Sequence, residues 1–355
     1  MSEATITHAQ RRRRLVEHSL FQLTLVRFLE FIREPESVFW VFVFPLLLAA
    51  GLGIAFRNRP AEVLPVGAIS QDVAAALSRE SQLSVLLLSP EEAERQLRAG
   101  RLALIVRRAP DGSVIFEYDD TNPDGRVARL LADDAVQRAA GRKDPVARSD
   151  LRVREPGSRY IDFLIPGLLG MNLMGSGIWG IGFAIVDARR KKLLKRLIAS
   201  PMPRYQYLLS FLLSRLAILV VEVGALVGFG VAAFGVPVRG SLASLALLCV
   251  TGSLTFTALG LLIACRAQTI EAASGWMNVV MMPMWILSGV FFSADRFPAA
   301  FQPAIQALPL TAVIDALRAH MLEGTALAQL APELGVMTFW MVACFALALK
   351  FFRWK

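Results

Sequence analysis

The sequence predicts an α-helical polytopic membrane protein with six transmembrane helices and a small extracytoplasmic α/β domain between the first and the second. Of its 355 residues, 55% are hydrophobic, a high share for a soluble domain. Several uncharged runs are long enough to cross a hydrocarbon core of about 30 Å. The stretch after the first run is different, because it is rich in charge and alternates short β-type runs with helical ones.

Six runs are predicted to span the membrane. Four of them lack charge and cover residues 37–56, 163–186, 240–265 and 272–294. The other two are 216–238, which Glu222 interrupts, and 334–349, which continues past Lys350 to Phe351 and Phe352. A lysine at that depth can extend its amine to the head groups, so it is compatible with a span. Because some 36 residues precede the first run, residues 37–56 are expected to remain as an anchor and not to be a cleaved signal peptide.

The distribution of lysine and arginine predicts that both termini are cytoplasmic. With six spans the termini share one side, whose flanks and loops carry Arg11–Arg14, Arg27, Arg33, Arg189–Lys192, Lys195, Arg196, Arg204, Arg266, Lys350, Arg353 and Lys355. The short loops of the other side offer Arg239, Arg296 and Arg318. The positive-inside rule therefore places the termini inside. The loop 57–159 is also basic, but long translocated segments follow this rule poorly.

The formal net charge of +9 is explained by this topology together with a basic external domain. No recognisable nucleic-acid module accompanies it, so membrane lipid is the expected partner and nucleic acid is not.

Cys249, Cys265 and Cys344 fall in or at the ends of predicted spans, and the large loop has no cysteine. Neither a disulfide framework nor a metal cluster is therefore expected.

Residues 1–36 are predicted to be a cytoplasmic segment whose part 11–36 forms an amphipathic helix on the membrane surface. Its apolar residues recur at helical spacing opposite its charges. The apolar set is Leu25, Phe28, Leu29 and Ile32, and the charged set is Arg27, Glu30, Arg33 and Glu34. Pro35 ends this helix before the first span.

Residues 57–159 are predicted to form the external α/β domain. Short β-rich runs such as "LSVLLLS" alternate with helical runs such as "PEEAERQLRAG", and Asp111-Gly112 is a turn between two strands. About 100 residues suffice for a modest core. The loop contains no recognisable catalytic constellation.

Residues 160–355 are predicted to form a five-helix transmembrane bundle with two special segments. Residues 187–204 form a basic cytoplasmic loop, which the stretch "VDARRKKLLKRLIASP" at 186–201 enters from the second span. Residues 295–325 are too polar and too rich in proline to cross the bilayer, and short amphipathic helices that dip back into the outer leaflet fit them better.

The sequence gives no indication of an enzyme. It lacks the glycine loop ending in Gly-Lys-Ser/Thr that cradles phosphate, so the chain is not expected to hydrolyse nucleotide itself. A serine-hydrolase elbow is missing, and His8, His18 and His320 form no metal motif. We therefore expect no catalytic residue, no metal ligand and no cofactor in this chain.

Polar residues inside the predicted spans have two interpretations each. Glu222 is a functional candidate because a buried ionisable group is costly there, but Arg215, seven residues earlier on the same helix face, equally suits a structural polar seam. Asn172 and Asn278 could line a pathway or tie helices together, and helix-to-helix hydrogen bonding is the favoured interpretation. For Gly175, Ser176 and Gly177 close helix packing is favoured.

Three stretches together resemble the membrane subunit of ATP-binding-cassette type-2 exporters. They are "REPESVFWVFVFPLLLAAGLGIAF" at 33–56, "IDFLIPGLLGMNLM" at 161–174 and "LLKRLIASPMPRYQYLLSFLLSRL" at 193–216. The resemblance covers nearly the whole chain in span number, loop order and the broken segment before the last helix. One departure is the basic "DARRKKLLKR", where many relatives carry an acidic residue and a glycine.

The resemblance implies a permease dimer, with a homodimer expected, in a bacterial cytoplasmic (inner) membrane, each copy resting on a separate ATPase subunit that binds ATP and Mg²⁺. It implies efflux of a hydrophobic or amphiphilic substrate. The residues expected to couple to the ATPase are Glu30, Arg33, Arg190, Lys191, Leu194, Leu197, Ser200 and Pro201. Those expected along the translocation pathway are Asn172, Ser176, Trp179, Glu222, Asn278 and Trp285.

Two other classes of function stay open. A non-transporting membrane scaffold or sensor would bind a ligand on the external α/β domain, and a neighbouring or co-purifying ATPase distinguishes it from a permease. A membrane-embedded enzyme is disfavoured because no His, Asp and Ser cluster near one membrane face. The substrate also stays open, because an apolar pathway lining would suit drugs, lipids or hydrophobic peptides equally, and the same residues would suit a lipid-facing surface. These residues are Met171, Met174, Trp179, Met281 and Trp285.

Overall fold

The fold is known from a computed structural model, which describes residues 19–57, 63–143, 157, 159–191, 204–267 and 269–351. The chain divides into two compact units, one of residues Met1–Arg57 with Arg154–Lys355 and one of residues Asn58–Val153. We call them the membrane unit and the external unit, the latter after its predicted location.

The membrane unit is built of helices. In chain order they are α1 (Ser19–Arg33), α2 (Pro35–Val38), a π-helical turn (Phe39–Val43) and α3 (Phe44–Arg57). After the external unit come α7 (Tyr160–Arg190), α8 (Arg204–Phe234), α9 (Leu242–Ala264) and α10 (Ile270–Leu287). Short pieces follow, namely α11 (Gln302–Gln306), α12 (Pro309–Arg318) and a second π-helical turn (Ala319–Glu323), before α13 (Ala331–Phe351).

Five helical segments of the described residues are long and apolar enough to cross a membrane, and they match five of the six predicted spans. They are Pro35–Phe56, Tyr160–Asp187, Leu213–Phe234, Leu242–Ala264 and Leu327–Phe351. A bent pair, Ala299–Gln306 with Pro309–Glu323, makes six if it counts as one span. The polytopic helical class agrees with the prediction, whereas the number of spans stays a prediction.

The predicted span 272–294 differs most from the structure, because helix α10 stops at Leu287. Ser288 is its C-cap, and Gly289 follows in a left-handed conformation with φ of 77°. A left-handed glycine is a common helix terminator, since other residues pay a steric cost there. The last seven residues of the predicted run therefore lie beyond the helix.

The second part of the bent segment is buried, whereas most of its first part is exposed. Its two helical parts meet at 88°, and Pro309 begins the second part at a position where a missing N–H costs little. In α12 the side chains of Leu310, Val313 and Ile314 are at most 1% exposed. Whether this segment re-enters the outer leaflet over 295–325 stays a prediction.

Helix α7 lies in the middle of the membrane unit, where it packs against α3, α8, α9, α10 and α12. Small residues allow its closest crossing, with α9. A Cβ atom on Gly177 would lie 2.8 Å from the Cβ of Phe256, and one on Gly260 would lie 2.8 Å from the carbonyl oxygen of Ile178. The geometry at Gly177 agrees with the packing interpretation.

The external unit is a mixed four-stranded sheet with helices. Its elements are β1 (Leu64–Ala68), α4 (Gln71–Leu77), β2 (Leu83–Leu87), α5 (Pro90–Arg98), β3 (Leu104–Arg108), β4 (Val114–Glu117) and α6 (Pro123–Ala139). The order is β2-β1-β3-β4, with the first three strands parallel and β4 antiparallel to β3. Gly112, with φ of 87°, lies in the predicted turn between β3 and β4. The small α/β domain is thus confirmed as a fold.

Candidate functional sites

A buried polar seam joins α7 to α8 in the membrane unit. The Nη1 atom of Arg215 lies 3.1 Å from Oε2 of Glu222, and both side chains are at most 8% exposed. The hydroxyl of Ser176 lies 2.9 Å from Oε1 of Glu222 and accepts a hydrogen bond from Nη2 of Arg215. Each charge therefore has an opposite charge and a hydroxyl beside it, which a polar group inside a membrane requires.

The seam follows from helix geometry. Arg215 and Glu222 are seven residues apart, which is two turns of α8, so both side chains leave the helix on one face. Ser176 meets that face from α7, and its hydroxyl also contacts the carbonyl oxygen of Asn172 at 2.6 Å. These are the contacts of the structural interpretation of Glu222. A role of Glu222 or Ser176 in the pathway stays a prediction.

Asn172 and Asn278, for which the sequence favours the same helix-to-helix hydrogen bonding, differ in their surroundings. Asn172 is 6% exposed, and its Nδ2 donates to the carbonyl oxygen of Val41 across 2.9 Å, so it ties α7 to the first span. Asn278 lies on the exposed face of α10. The favoured interpretation of a helix-to-helix hydrogen bond thus describes Asn172 and not the surroundings of Asn278.

Helix α10 has one face inside the membrane unit and one outside it. Met277, Met281 and Met284 are at most 3% exposed, whereas Val279 and Met282 are 64% and 53% exposed beside Asn278. The predicted pathway residue Trp285 lies at the edge of the packed face, and its Nε1 has no hydrogen-bond partner among the described residues. Trp179, on α7, is half-buried and packs against Phe183 with ring centroids 4.8 Å apart.

Charged residues of α1, of the end of α7 and of the start of α10 act on one another electrostatically, and we call this set the end cluster: Glu30, Asp187, Arg190, Lys191 and Glu271. Nζ of Lys191 lies 2.7 Å from Oδ2 of Asp187. The hydrogen bond and charge of Asp187 raise the pKa of Lys191, and Glu30 of α1 adds to this. The backbone amide of Glu271 and the hydroxyl of Thr269 lower the pKa of Glu271, with a smaller contribution from Arg190.

The end cluster thus brings together three of the predicted coupling residues, Glu30, Arg190 and Lys191. Arg33 is exposed at the end of α1. Leu194, Leu197, Ser200 and Pro201 lie outside the described residues. The coupling role of all eight stays a prediction.

Three arginines that the sequence analysis did not treat as site residues each donate to carbonyl groups at the C-terminal end of another helix. Arg159 donates to the carbonyl oxygens of Phe234 at 2.8 Å and Gly235 at 3.1 Å, at the end of α8. Arg318 donates to that of Gly289, just past α10. The last carbonyls of a helix lack intrahelical partners and carry the negative end of the helix dipole, so a cation there is stabilising.

Arg189 does the same for α9 from within the basic stretch. Its Nη1 donates to the carbonyl oxygen of Ala267 at 2.7 Å and of Ala264 at 3.2 Å, and its Nη2 donates to that of Cys265 at 3.3 Å. Local sequence could indicate these arginines only as cations near helix ends, because the capped carbonyl groups lie 29 residues or more away along the chain.

These helices, their buried polar seam and their capped ends define a multi-pass membrane protein. Comparison of the sequence with known families then identifies it more closely. The model of the ABC-2 family transporter proteins matches residues 35–350, and the chain belongs to this family. Permeases of this family are membrane subunits and not ATPases, and membership implies a partner ATPase subunit.

Named relatives include several permeases. The chain is similar to the probable multidrug ABC transporter permease YbhR of Escherichia coli K12, with 24% identity over 314 residues that cover 80% of this chain and 84% of YbhR. It is 32% identical over 110 residues to nodulation protein J of Rhizobium leguminosarum bv. viciae, covering 31% of this chain and 42% of that protein. It is 27% identical over 172 residues to the ABC transporter G family member 20 of Dictyostelium discoideum, covering 48% of this chain and 24% of that protein. The chain thus spans less than half the length of these last two relatives.

Proposed function

We propose that this chain is the permease subunit of an ABC exporter that moves a hydrophobic or amphiphilic substrate out of the cell. A separate ATPase subunit binds ATP and Mg²⁺ and supplies the energy. The observation that carries this proposal is the end cluster, where charges of α1, α7 and α10 act on one another just before the basic stretch that follows Lys191 in the sequence. A displacement of the end of α7 would then change the electrostatic interactions of all three helices.

The proposal places the end cluster in the cytoplasm of a bacterial cell and the bundle in the inner membrane. Lysine and arginine are concentrated on the side of the termini, which the positive-inside rule assigns to the cytoplasm. Helix α1 suits this surface, because Phe21, Leu25 and Ile32 form an exposed apolar strip while Glu30 and Arg33 lie beside it. The apolar strip then contacts lipid, and the charged edge faces the ATPase.

Coupling is assigned to the two leucines of the stretch after α7. In "KKLLKRLIASP", Leu194 and Leu197 recur at helical spacing, so an apolar face can dock on the ATPase while the cations contact an acidic rim or lipid head groups. Arg189, shortly before these leucines in the sequence, is hydrogen-bonded to the end of α9, so a force on the end of α7 would also act on α9.

The pathway is assigned to the exposed face of α10 in a homodimer. An amide in contact with lipid tails lacks hydrogen-bond partners, so Asn278 is better placed against a second copy or a hydrated pathway. The surrounding Val279 and Met282 would suit an apolar cargo. The printed name of YbhR, a probable multidrug permease, supports a drug-like substrate class.

Co-expression with candidate ABC ATPase subunits of the same organism tests the proposal. We expect one of these subunits to co-purify with this chain and the Leu194→Ala/Leu197→Ala variant to hydrolyse ATP without transporting amphiphilic dyes in vesicles. Lys191→Gln/Lys192→Gln tests the cations separately from the leucines and should mainly disturb membrane topology. A stably inserted leucine variant with normal transport would contradict the docking role. Failure of any ATPase to bind would favour the scaffold or sensor instead.

A further inference from the structure

The first span contains a break with a specific chemical cause. Pro45 is the second residue of α3 and has no N–H, so it cannot donate to the carbonyl oxygen of Val41 four residues earlier. Val41 lies in the π-helical turn, where the N–H of Phe44 bonds to the carbonyl of Phe39. A carbonyl without a donor is costly inside an apolar bundle, so the break at Pro45 creates a need for a hydrogen-bond donor.

Asn172 supplies that donor from another helix. Its Nδ2 lies 2.9 Å from the Val41 oxygen, and its side chain is 6% exposed. The backbone carbonyl of Asn172 accepts from the hydroxyl of Ser176, which is part of the seam with Glu222. A chain of polar contacts thus runs from the break in the first span through α7 to α8.

The break lies between two parts of the chain that pack on different helices. Before it, α1 packs along α8, and Nε of Arg27 donates to the hydroxyl of Ser210 at 3.1 Å. After it, α3 packs on α7, with Ala49 fully buried. Proline and π-helical turns are the usual places where a helix bends. Two such places separate α1 from α3, namely the extended Glu34 before Pro35 and the π-helical turn before Pro45, and Asn172 acts on the second.

We propose that Asn172 is a positioning residue: by donating to the carbonyl that Pro45 cannot reach, it fixes the angle at the π-helical turn, where α2 continues into α3. Displacement of α2 then moves α3 and α7 together and is not absorbed at the π-helical turn. This inference rests on the proposed function for its use in transport. The hydrogen bond and its link to Pro45 can be tested without any ATPase.

A double-mutant cycle tests the link between Asn172 and Pro45. Asn172→Leu leaves the Val41 carbonyl open, and we expect it to lower the Tm by roughly 2–6 °C in nanodiscs. In the Pro45→Ala background residue 45 can donate, so the same replacement should lower the Tm by less than half as much. Asn278→Leu is the matched control, with equal shifts in both backgrounds.

Equal Tm shifts for Asn172→Leu in the two backgrounds would overturn the link. If Asn172→Leu alone yields no folded protein, the cycle still decides: recovery by Pro45→Ala supports the inference, and failure to recover overturns it.

A distance measurement separates positioning from simple stabilisation. Spin labels at Glu36→Cys in α2 and Ile54→Cys in α3 occupy exposed positions on either side of the π-helical turn, whereas Cys249, Cys265 and Cys344 are buried. We expect a narrow distance distribution in the parent, a broad one with Asn172→Leu and a narrow one again with Pro45→Ala added. A lowered Tm without broadening would refute positioning. Binding of the ATPase is scored separately, so failure of the inference and failure of the proposed function can be told apart.

Discussion

Replacing Glu222 with glutamine asks whether the seam is held by charge or by ordinary hydrogen bonds. Glutamine has nearly the same shape, and its carbonyl and amide can still bond to Arg215 and Ser176. What is lost is the negative charge beside a guanidinium whose side chain is 8% exposed. The variant therefore leaves a buried cation without its counter-charge.

Charge pairing and ordinary hydrogen bonding predict different losses of stability for Glu222→Gln. Breaking a buried ion pair by removing one partner costs about 3–5 kcal/mol. A hydrogen bond between membrane helices averages about 0.6 kcal/mol and reaches about 1.7 kcal/mol. We expect Glu222→Gln to fall in the first range, which corresponds to a Tm lowered by roughly 6–20 °C. Arg215→Met/Glu222→Met removes both charges, so it should cost far less than either single replacement.

Titration with SDS in mixed micelles measures these free energies, and Asp187→Asn is the control. It removes the anion of an exposed pair, whose side chains are 59% and 36% exposed for Lys191 and Asp187, so it should cost under about 1 kcal/mol. A loss below about 1.7 kcal/mol for Glu222→Gln, or additive effects of the two methionine replacements, would refute charge pairing. A stable Glu222→Gln protein with altered transport would instead support the pathway interpretation.

Three further outcomes are expected. Arg189→Gln should destabilise the membrane unit by about 1–3 kcal/mol through the uncapped end of α9, whereas Arg190→Gln should change stability by under about 0.5 kcal/mol, both in the SDS titration. The hydrogen bond from Arg142 lowers the pKa of Asp134, so the ionised Asp134 stabilises the external unit above the ordinary aspartate pKa, and this stabilisation is lost as the pH falls below that value. Asp134→Asn should therefore weaken the acid sensitivity of the external unit in circular dichroism melts. An unchanged pH profile would contradict this prediction. Asn278→Leu should leave stability unchanged but alter dye transport, and unaltered transport would remove it from the pathway.

The helices were predictable where length and composition decide them. A membrane span needs about 20 apolar residues, and five of the six predicted runs coincide with long apolar helices of the described residues. The exception, 272–294, shows the limit, because hydropathy does not register the change at Gly289 from helical to left-handed backbone. An apolar run can therefore be longer than the helix inside it.

The polar sites were predictable as residue types and not as environments. Asn172 and Asn278 looked alike in sequence, since each is an amide inside an apolar run. Only packing separates them, because α7 lies in the middle of the unit and α10 at its side. Glu222 and Arg215 were easier, since seven residues along one helix fix their common face without any tertiary information.

The arginine caps bear on the predicted orientation as well as on stability. With the termini inside, α8 and α10 end on the outer side and α9 ends on the cytoplasmic side. The outer ends are capped by Arg159 and Arg318, and the inner one by Arg189. Arg318 was one of the few cations assigned to the outer side, and the cap at Gly289 gives it a structural reason to be there.

Cations that cap helices are held by carbonyl groups wherever a helix ends, so they carry less information on orientation than free ones. Arg159 lies in the loop 57–159, which the count does not use. Leaving Arg189 and Arg318 out as well still leaves a large excess of lysine and arginine on the side of the termini, so the predicted orientation does not depend on these three arginines.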